Sequence, residues 1–374
     1  MKGKVTSKIK TCVVILLAAT PLVSTDILRG GTASEFRAVD PNRIPEILTM
    51  ISEQVRSNYE RIKTWQGETE FTIYTIYEGD RAERIFNTRT DGKGETPNTV
   101  VWHIEGRRKF AVDLEKDFLY ANVSRENPPR YMDFETGRDL GTKSAPSQKI
   151  SIVTPEYYIN WGPHTMRDGA ITSRKFVKKV RQKGSTCANL SPPVSDPREC
   201  FVVGQPIWET FPRLLQYMEL HGEVSVDGYA LKVEECTDGN LTKYRIQMPG
   251  KVSPTDYLFM TMVFSGNKGF NITSVEETMS DGKLLHKRTW DYDLVNGVYV
   301  PSRTTEQIFE RKNGELSYEA KYTFKNAKTN HPISQETFTY KNLGLKNGDK
   351  FIDKITNKEY TYQDGDLISA SEEK

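Results

Sequence analysis

The sequence predicts a mainly β, α+β protein: a curved antiparallel sheet or unclosed β-barrel wrapped around an N-terminal helix and a central lid helix. Three observations carry this prediction. From Tyr257 to Phe324 five extended segments follow one another. Within them apolar and polar residues alternate, as in Leu316, Tyr318, Ala320, Tyr322 and Phe324 against Ser317, Glu319, Lys321, Thr323 and Lys325. A period of two over that length marks a strand with one buried face, and no helix produces it. Between the segments sit Asp281-Gly282, Asn296-Gly297 and Asn313-Gly314, dipeptides that accept the positive φ angles of tight hairpin turns. Two stretches elsewhere carry apolar residues at steps of three and four, the spacing of one helix face.

Residues 1–25 read as a signal peptide and residues 26–40 as a flexible linker. Lys2, Lys4, Lys8 and Lys10 precede an uncharged run from Cys12 to Val23, followed by Ser24 and Thr25. That is the pattern of a secretory signal. A membrane anchor needs about 20 apolar residues, and this run is shorter and contains Thr20 and Pro21. Cleavage could follow Ser24 or Thr25, or lie near Ala33. Cys12 precedes the apolar run, where a lipid-modified cysteine would not stand. The expected location is therefore periplasmic or extracellular, with a soluble mature chain.

The 374 residues carry a formal charge of +2, and losing the four signal lysines makes the mature chain slightly acidic. Nucleic-acid binding then lacks its usual electrostatic footprint. Cys187, Cys200 and Cys236 remain, in a compartment that permits disulfides. A bridge from Cys187 to Cys200 around Pro192, Pro193 and Pro197 is the expected pairing. It reads as a structural staple, because no C-x-x-C spacing exists to lower a thiol pKa. The sequence does not assign Cys236.

Residues 41–329 are expected to form one half-barrel domain. Its first element is a helix on which Ile44, Ile47, Leu48, Ile51, Val55, Tyr59 and Ile62 share a face, ended by Trp65 and Gly67. Five short strands follow, marked by Phe71 to Tyr77, Ile85, Val100 to Ile104, Phe110 to Leu114 and Phe118 to Tyr120, with Tyr131 to Phe134 as a candidate sixth. Gly79-Asp80, residues 91–98, Gly106-Arg107 and Lys116-Asp117 separate them. An irregular, cysteine-containing insertion occupies about 141–206. Its basic cluster, Arg174, Lys175, Lys178, Lys179, Arg181 and Lys183, reads either as a solvated loop or as a contact for anionic lipid or a partner. Ile207, Trp208, Phe211, Leu214, Leu215 and Met218 then return to helical spacing, the lid. A hairpin from Glu223 to Met248 turns near Asp238-Gly239. The first strand of the following meander, Leu258 to Phe264, is apolar on both parities and so expects cover on both sides. Residues 330–374 read as a small appended hairpin with turns at Asn347-Gly348 and Thr356-Asn357, and a tail fraying beyond Gly365.

Searches for chemistry return little. His103, His164, His221, His286 and His331 are scattered, without H-E-x-x-H or an accompanying C-x-x-C, so no metal or other cofactor is expected. No G-x-S-x-G elbow, phosphate loop or dinucleotide fingerprint occurs. Asp291 and Asp293 alternate with aromatics, where a glycosidase-like acid pair would sit, but they also share the polar parity and read more simply as the wet face.

Met260, Met262, Trp290, Tyr292, Tyr318 and Phe324 are candidates for the inner surface of the sheet. A curved sheet with one apolar face covers that face with helices or leaves a cavity for an apolar ligand. Asn58 to Gly67 and Trp290 to Pro301 also resemble segments of secreted bacterial proteins related to the LolA-like group, and the element order from Pro41 to Lys325 is similar to that group. The group includes periplasmic lipoprotein carriers and envelope-stress sensor domains. The resemblance implies an unclosed antiparallel barrel around helices, with an acyl chain or hydrophobic peptide as cargo.

The leading expectation is thus a non-enzymatic carrier of an apolar ligand or lipoprotein, with Trp208, Phe211, Met260, Met262, Trp290, Tyr292, Tyr318 and Phe324 as contact residues. An envelope sensor or assembly component that docks a protein partner is the alternative. A secreted hydrolase working through unidentified carboxylates is the third reading.

Overall fold

The structure, a computed structural model, describes residues 35–92, 94–125, 127–143, 147–161, 175–180, 207–222, 224–253 and 256–369. The signal segment, both cysteines of the expected Cys187 to Cys200 bridge, and Arg174, Arg181 and Lys183 of the basic cluster lie outside the described residues.

Three helices are present among them: α1 (Ile44–Glu60), α2 (Gly79–Arg89) and α3 (Ile207–His221). The first half of the chain supplies β1 (Arg37–Ala38), β2 (Thr64–Glu78), β3 (Thr99–Asp113), β4 (Phe118–Arg125), β5 (Arg130–Asp133), β6 (Ser147–Val153), β7 (Tyr157–Trp161) and β8 (Lys175–Val180). After α3 come β9 (Ser225–Val226), β10 (Tyr229–Ala230), β11 (Lys232–Asp238), β12 (Leu241–Lys251), β13 (Tyr257–Ser265), β14 (Asn271–Met279), β15 (Leu284–Val295), β16 (Val298–Phe309) and β17 (Leu316–Thr329). The C-terminal strands are β18 (Lys350–Asp353), β19 (Lys358–Gln363) and β20 (Asp366–Ser369).

All but the small β9–β10 hairpin join one 18-stranded sheet. The five strands expected from Tyr257 onward, β13 to β17, form an unbroken antiparallel meander, extended on one side by β12, β11 and β1. On the other side β17 pairs with β2, from Tyr318 opposite Thr75 to Thr329 opposite Trp65. The order continues through β3, β4, β6, β7 and β8, with β5 on the far end of β3. Among the described residues only β8 and β18 pair in parallel. The result is the predicted class: a large, unclosed, mainly antiparallel sheet with helices against it.

α1 lies on the concave face because its spacing puts Ile47, Leu48, Ile51, Val55 and Tyr59 on one side, and all five are buried. Asp40 starts the helical region by accepting from Asn42 N at 2.9 Å, with Pro41 next in line. Its far end is held by a residue almost 270 positions away. Asn330, at φ +59°, donates to Arg61 O at 2.9 Å and accepts from Lys63 N at 2.8 Å. Asn58 fastens the same helix to β16, donating to Tyr299 O at 2.9 Å and accepting from Tyr299 N at 2.8 Å.

Several local expectations are corrected. Trp65 and Gly67 do not close the helix; both lie within β2, whose inward face buries Trp65, Thr69 and Phe71. Ile85 belongs to α2, not to a strand, because Ala82, Ile85 and Phe86 face one way at helical spacing and pack with Val100, Tyr131 and Leu140. Gly106-Arg107 is no turn, since β3 runs through it. A Cβ at Gly106 would stand 2.4 Å from Phe71 Cζ and 2.9 Å from Ser124 O, so glycine serves close approach there. The stretch read as irregular contains β6, β7 and β8, and residues 175–180 of the basic cluster form a strand instead of a loop. β13 is covered on its outer side only in part, Phe259 meeting Tyr229 of the small hairpin at 5.1 Å. Beyond Gly365 the chain forms β20 before residue 370, where a frayed tail was expected.

The C-terminal segment has its own packing. Phe338, Leu343 and Phe351 bury against Ala111, Ile150, Ile152 and Ile159 on the convex side, forming a second core. Ala111, Ile150 and Ile152 alternate with inward residues of β3 and β6, such as Phe110, Val112, Ser151 and Val153, so this part of the sheet buries side chains on both faces.

Candidate functional site

Paired residues on adjacent strands point to the same side of a sheet, so the register fixes the lining of the concave face. One row crosses seven strand pairs: Met248, Met260, Glu277, His286, Ile308, Tyr318, Thr75 and Trp102 stand opposite one another in turn. The next row inward is Ile246, Met262, Val275, Arg288, Glu306, Ala320, Ile73 and Ile104 by the same pairings. Deeper lie Trp290, Thr304, Tyr322 and Phe71. Burial grades along these rows. Met262, Phe264, Trp290, Ala320 and Tyr322 are buried, whereas Met248, Met260, His286 and Tyr318 are half-buried.

α3 covers part of this surface. Phe211 is fully buried and meets Phe264 edge-on at 5.6 Å, and Trp208 stacks obliquely on Tyr59 of α1 at 5.5 Å. Trp208, Leu214, Leu215 and Met218 pack on the same core while staying half-buried. Pro212 sits inside the helix and removes one backbone donor from its second turn. Where the end of α1 meets Trp208, a 330 Å³ pocket opens, walled by Tyr59, Ile62, Leu114 and Trp208. Its rim carries Arg56 with Glu60 at 2.6 Å and Lys63 with Glu115 at 3.1 Å.

The eight candidate contact residues all pack in or against the core that includes α1 and α3. Phe211, Met262, Trp290, Tyr292 and Phe324 are buried in it; Tyr292 Oη also donates to Ile272 O at 2.8 Å. Trp208, Met260 and Tyr318 keep accessible surface. Met260 and Tyr318 share the outermost row, and Trp208 lines the pocket. Asp291 and Asp293 are exposed on the opposite parity.

Charged side chains on the concave face were not singled out from the sequence. Arg288 binds Glu306, whose Oε1 also lies 3.1 Å from His286 Nε2, and Glu277 Oε1 is 3.9 Å from His286 Nδ1. Glu277 and Glu306 together raise His286 to about 9 against the opposing effects of burial and Arg288. Burial alone would raise Glu306, but hydrogen bonding from His286 and the charge of Arg288 hold it near 2. A second group, on β3, β4 and β6, consists of Arg108, Arg125 and Lys149. Burial lowers Arg108 to about 10 and pushes Tyr322, its neighbour on the same face, well above the ordinary tyrosine value. The signal was present in the alternation, since Arg288 and His286 share the parity of Trp290, and Arg108 that of Phe110. Among the described residues no group of three histidine, cysteine, aspartate or glutamate side chains could hold a metal ion.

No protein-family model matches the chain, and no curated protein matches it. Solved structures do. A DUF1329 family protein from Desulfovibrio piger is similar at 10% identity and TM-score 0.33, over 82% of this chain and 100% of that one. A LolA superfamily protein from Nitrosomonas europaea is similar at 9% identity and TM-score 0.28, over 77% and 97%. A domain described as an outer membrane lipoprotein-sorting protein from Vibrio parahaemolyticus is similar at 10% identity and TM-score 0.35, over 80% and 98%. These are proteins of the kind the sequence resembles, and at such scores the likeness carries no argument about the site.

Proposed function

We propose that the protein is exported and holds the apolar part of an amphiphile, an acyl chain or a lipoprotein, between its concave face and α3, without chemistry on the bound molecule. The carrying observation is the 330 Å³ pocket beside Trp208, an open cleft lined by Tyr59, Ile62, Leu114 and Trp208 and, in equal number, by the charged residues of the Arg56–Glu60 and Lys63–Glu115 pairs. Its size is at the lower end of the roughly 300–1,000 Å³ typical of ligand sites, enough to admit one end of a chain. The half-buried Trp208, Met260 and Tyr318 offer contact surface, and the buried Phe211, Met262, Trp290, Tyr292 and Phe324 stand behind them. α3 is suited to yield, because four of its core-facing side chains are only half-buried and Pro212 interrupts its backbone bonding. Each Å² of apolar surface covered contributes about 25 cal/mol before ordering costs. Export rests on the four lysines and uncharged run at the start of the chain. No helix among the described residues is long and apolar enough to cross a membrane.

The test is lipid extraction of protein purified from its native host, with mass spectrometry, alongside uptake of a fluorescent fatty acid by the emptied protein. Co-purifying lipid and uptake weakened by Trp208→Ala are expected. Protein that carries no lipid and takes up no fatty acid would defeat the reading.

A further inference from the structure

We propose that the charged rim of the pocket beside Trp208 selects the headgroup of the bound amphiphile, receiving one that joins a phosphate to an alkylammonium, so that the ligand is zwitterionic. The inference rests on the carrier reading for the apolar part of that molecule and adds which head it bears.

The four charges are carried on fixed backbone. Arg56 and Glu60 lie one turn apart on α1 and pair at 2.6 Å. Lys63 follows that helix, and Glu115, in the turn between β3 and β4, stands 3.1 Å from it. Lys63 is held on both sides of its backbone: its N–H donates to Asn330 Oδ1 at 2.8 Å, and its carbonyl accepts from Leu114 N at 2.8 Å. Glu115 adjoins Leu114, so this last bond brings a cation and an acid from separate elements side by side.

Neither pair is tightly committed to itself. The four side chains are 56–62% exposed, and ion pairs so exposed add little to stability. A ligand that replaces each internal partner with an opposite charge of its own therefore loses little. The Arg288 group is the contrast, since its four charges are only 13–18% exposed and opening them would leave buried charge unpaired.

The make-up of the rim decides which ligand gains. Its cations and acids are equal in number. A singly negative head that engages Arg56 or Lys63 comes up against the Glu60 or Glu115 beside it, and a singly positive head meets the two cations in the same way. Like charges brought together reject both. A head of both signs satisfies cation and acid at once. Arg56 offers a phosphate its planar fork, and Lys63 a point charge. For the positive half the same cleft offers the half-buried Trp208, whose ring lies 5.5 Å from that of Tyr59. The face of an indole attracts an ammonium group through its quadrupole, and the nearby carboxylates add their charge. Ile62 and Leu114 complete the cleft, where the first methylenes of the chain follow the head.

The experiment uses the full mature chain and calorimetry with four probes, each below its micelle concentration: dodecylphosphocholine, dodecyl phosphate, dodecyltrimethylammonium and the chainless glycerophosphocholine. Wild type is expected to bind dodecylphosphocholine at least about tenfold more tightly than either singly charged probe. Two double variants should then turn the ranking in opposite directions. Glu60→Gln with Glu115→Gln should make dodecyl phosphate the preferred probe, and Arg56→Gln with Lys63→Gln should make it dodecyltrimethylammonium. A variant that merely folds less well weakens all three and reverses nothing, which separates charge from folding. Equal binding of the three dodecyl probes by wild type, or one ranking shared by wild type and both variants, overturns the proposal and leaves the carrier reading intact. Glycerophosphocholine that binds wild type and neither variant, when no dodecyl probe binds, supports the head site with a free phosphodiester as its source and defeats the carrier reading alone. Failure of all four probes overturns both.

Discussion

His286 offers the sharpest test of the electrostatics inside the sheet. Replacing it by glutamine, His286→Gln, keeps a hydrogen-bonding side chain of similar reach and removes only the charge. The histidine is raised from its ordinary value of 6.5 to about 9, chiefly by Glu277 and Glu306. Because the folded value exceeds the unfolded one, protonation stabilises the fold. That contribution is complete below 6.5 and disappears as the pH rises through about 9. At about 1.4 kcal/mol per pH unit the rise corresponds to roughly 3 kcal/mol, which solvent screening reduces to about 2. The screening is modest, since His286 retains 14% side-chain exposure and its two carboxylates 15–18%. Urea unfolding of both proteins, followed by tryptophan fluorescence at about pH 6 and about pH 10, reads the difference. The gap between wild type and variant should narrow by about 2 kcal/mol from the lower to the higher pH. Lysines and tyrosines that titrate near pH 10 affect both proteins alike and cancel. A gap of the same size at both pH values would show that His286 is not held protonated by its neighbours.

Three further outcomes follow from packing. Asn58→Ala strips both partners from the Tyr299 backbone and should cost roughly 2–4 kcal/mol by urea unfolding; a loss under about half a kcal/mol would mean α1 is not fastened there. Phe211→Ala empties a fully buried site against Phe264 and should cost about 3–5 kcal/mol, visible as a lowered melting temperature. Gly106→Ala drives a methyl group into the Phe71 ring and the Ser124 carbonyl, so a loss of about 1–3 kcal/mol is expected, and a protein of unchanged stability would show that β3 and β4 can separate at that point.

How far the sequence reveals this molecule depends on which signal each element uses. The second meander was legible because Gly282, Gly297 and Gly314, all at positive φ, punctuate strands whose inward residues are large. The first was legible in outline only. Its turns are built by aspartates: Asp113 Oδ1 accepts from Lys116 N and Asp133 Oδ1 from Glu135 N, as Asp353 Oδ1 does from Ile355 N in the C-terminal hairpin. Such side-chain-to-backbone turns are written in Asp-x-x-Lys and Asp-x-x-Thr as clearly as Asn-Gly is. Without them Gly106 reads as a turn, and Ile85 reads as a strand when its helical spacing from Ala82 is passed over.

The candidate site was legible by half. Large apolar residues declare their face through alternation, so all eight candidate residues lie in or against one core. Arg108, Arg125, Lys149, Arg288 and Glu306 share that face, yet a count of apolar residues passes over them. Only the cross-strand register, which alternation within one strand does not supply, shows that three of the five, Arg108, Arg125 and Lys149, cluster on β3, β4 and β6. The two segments carrying the family resemblance turn out to touch, Asn58 of the first clasping Tyr299 of the second. Nothing in either segment alone announces that clasp.

The pairing of β17 with β2 has a bearing on how the molecule comes into being. Residues 64–78 wait for residues 316–329, so β2 has one bare edge until nearly the whole polypeptide has been synthesised. Contacts so distant along the chain are slow to form, because the intervening loop must close before they yield any gain. During that interval the aromatic lining of both halves faces water and is prone to mispairing. A chain truncated before residue 316 should therefore aggregate instead of yielding a stable N-terminal half.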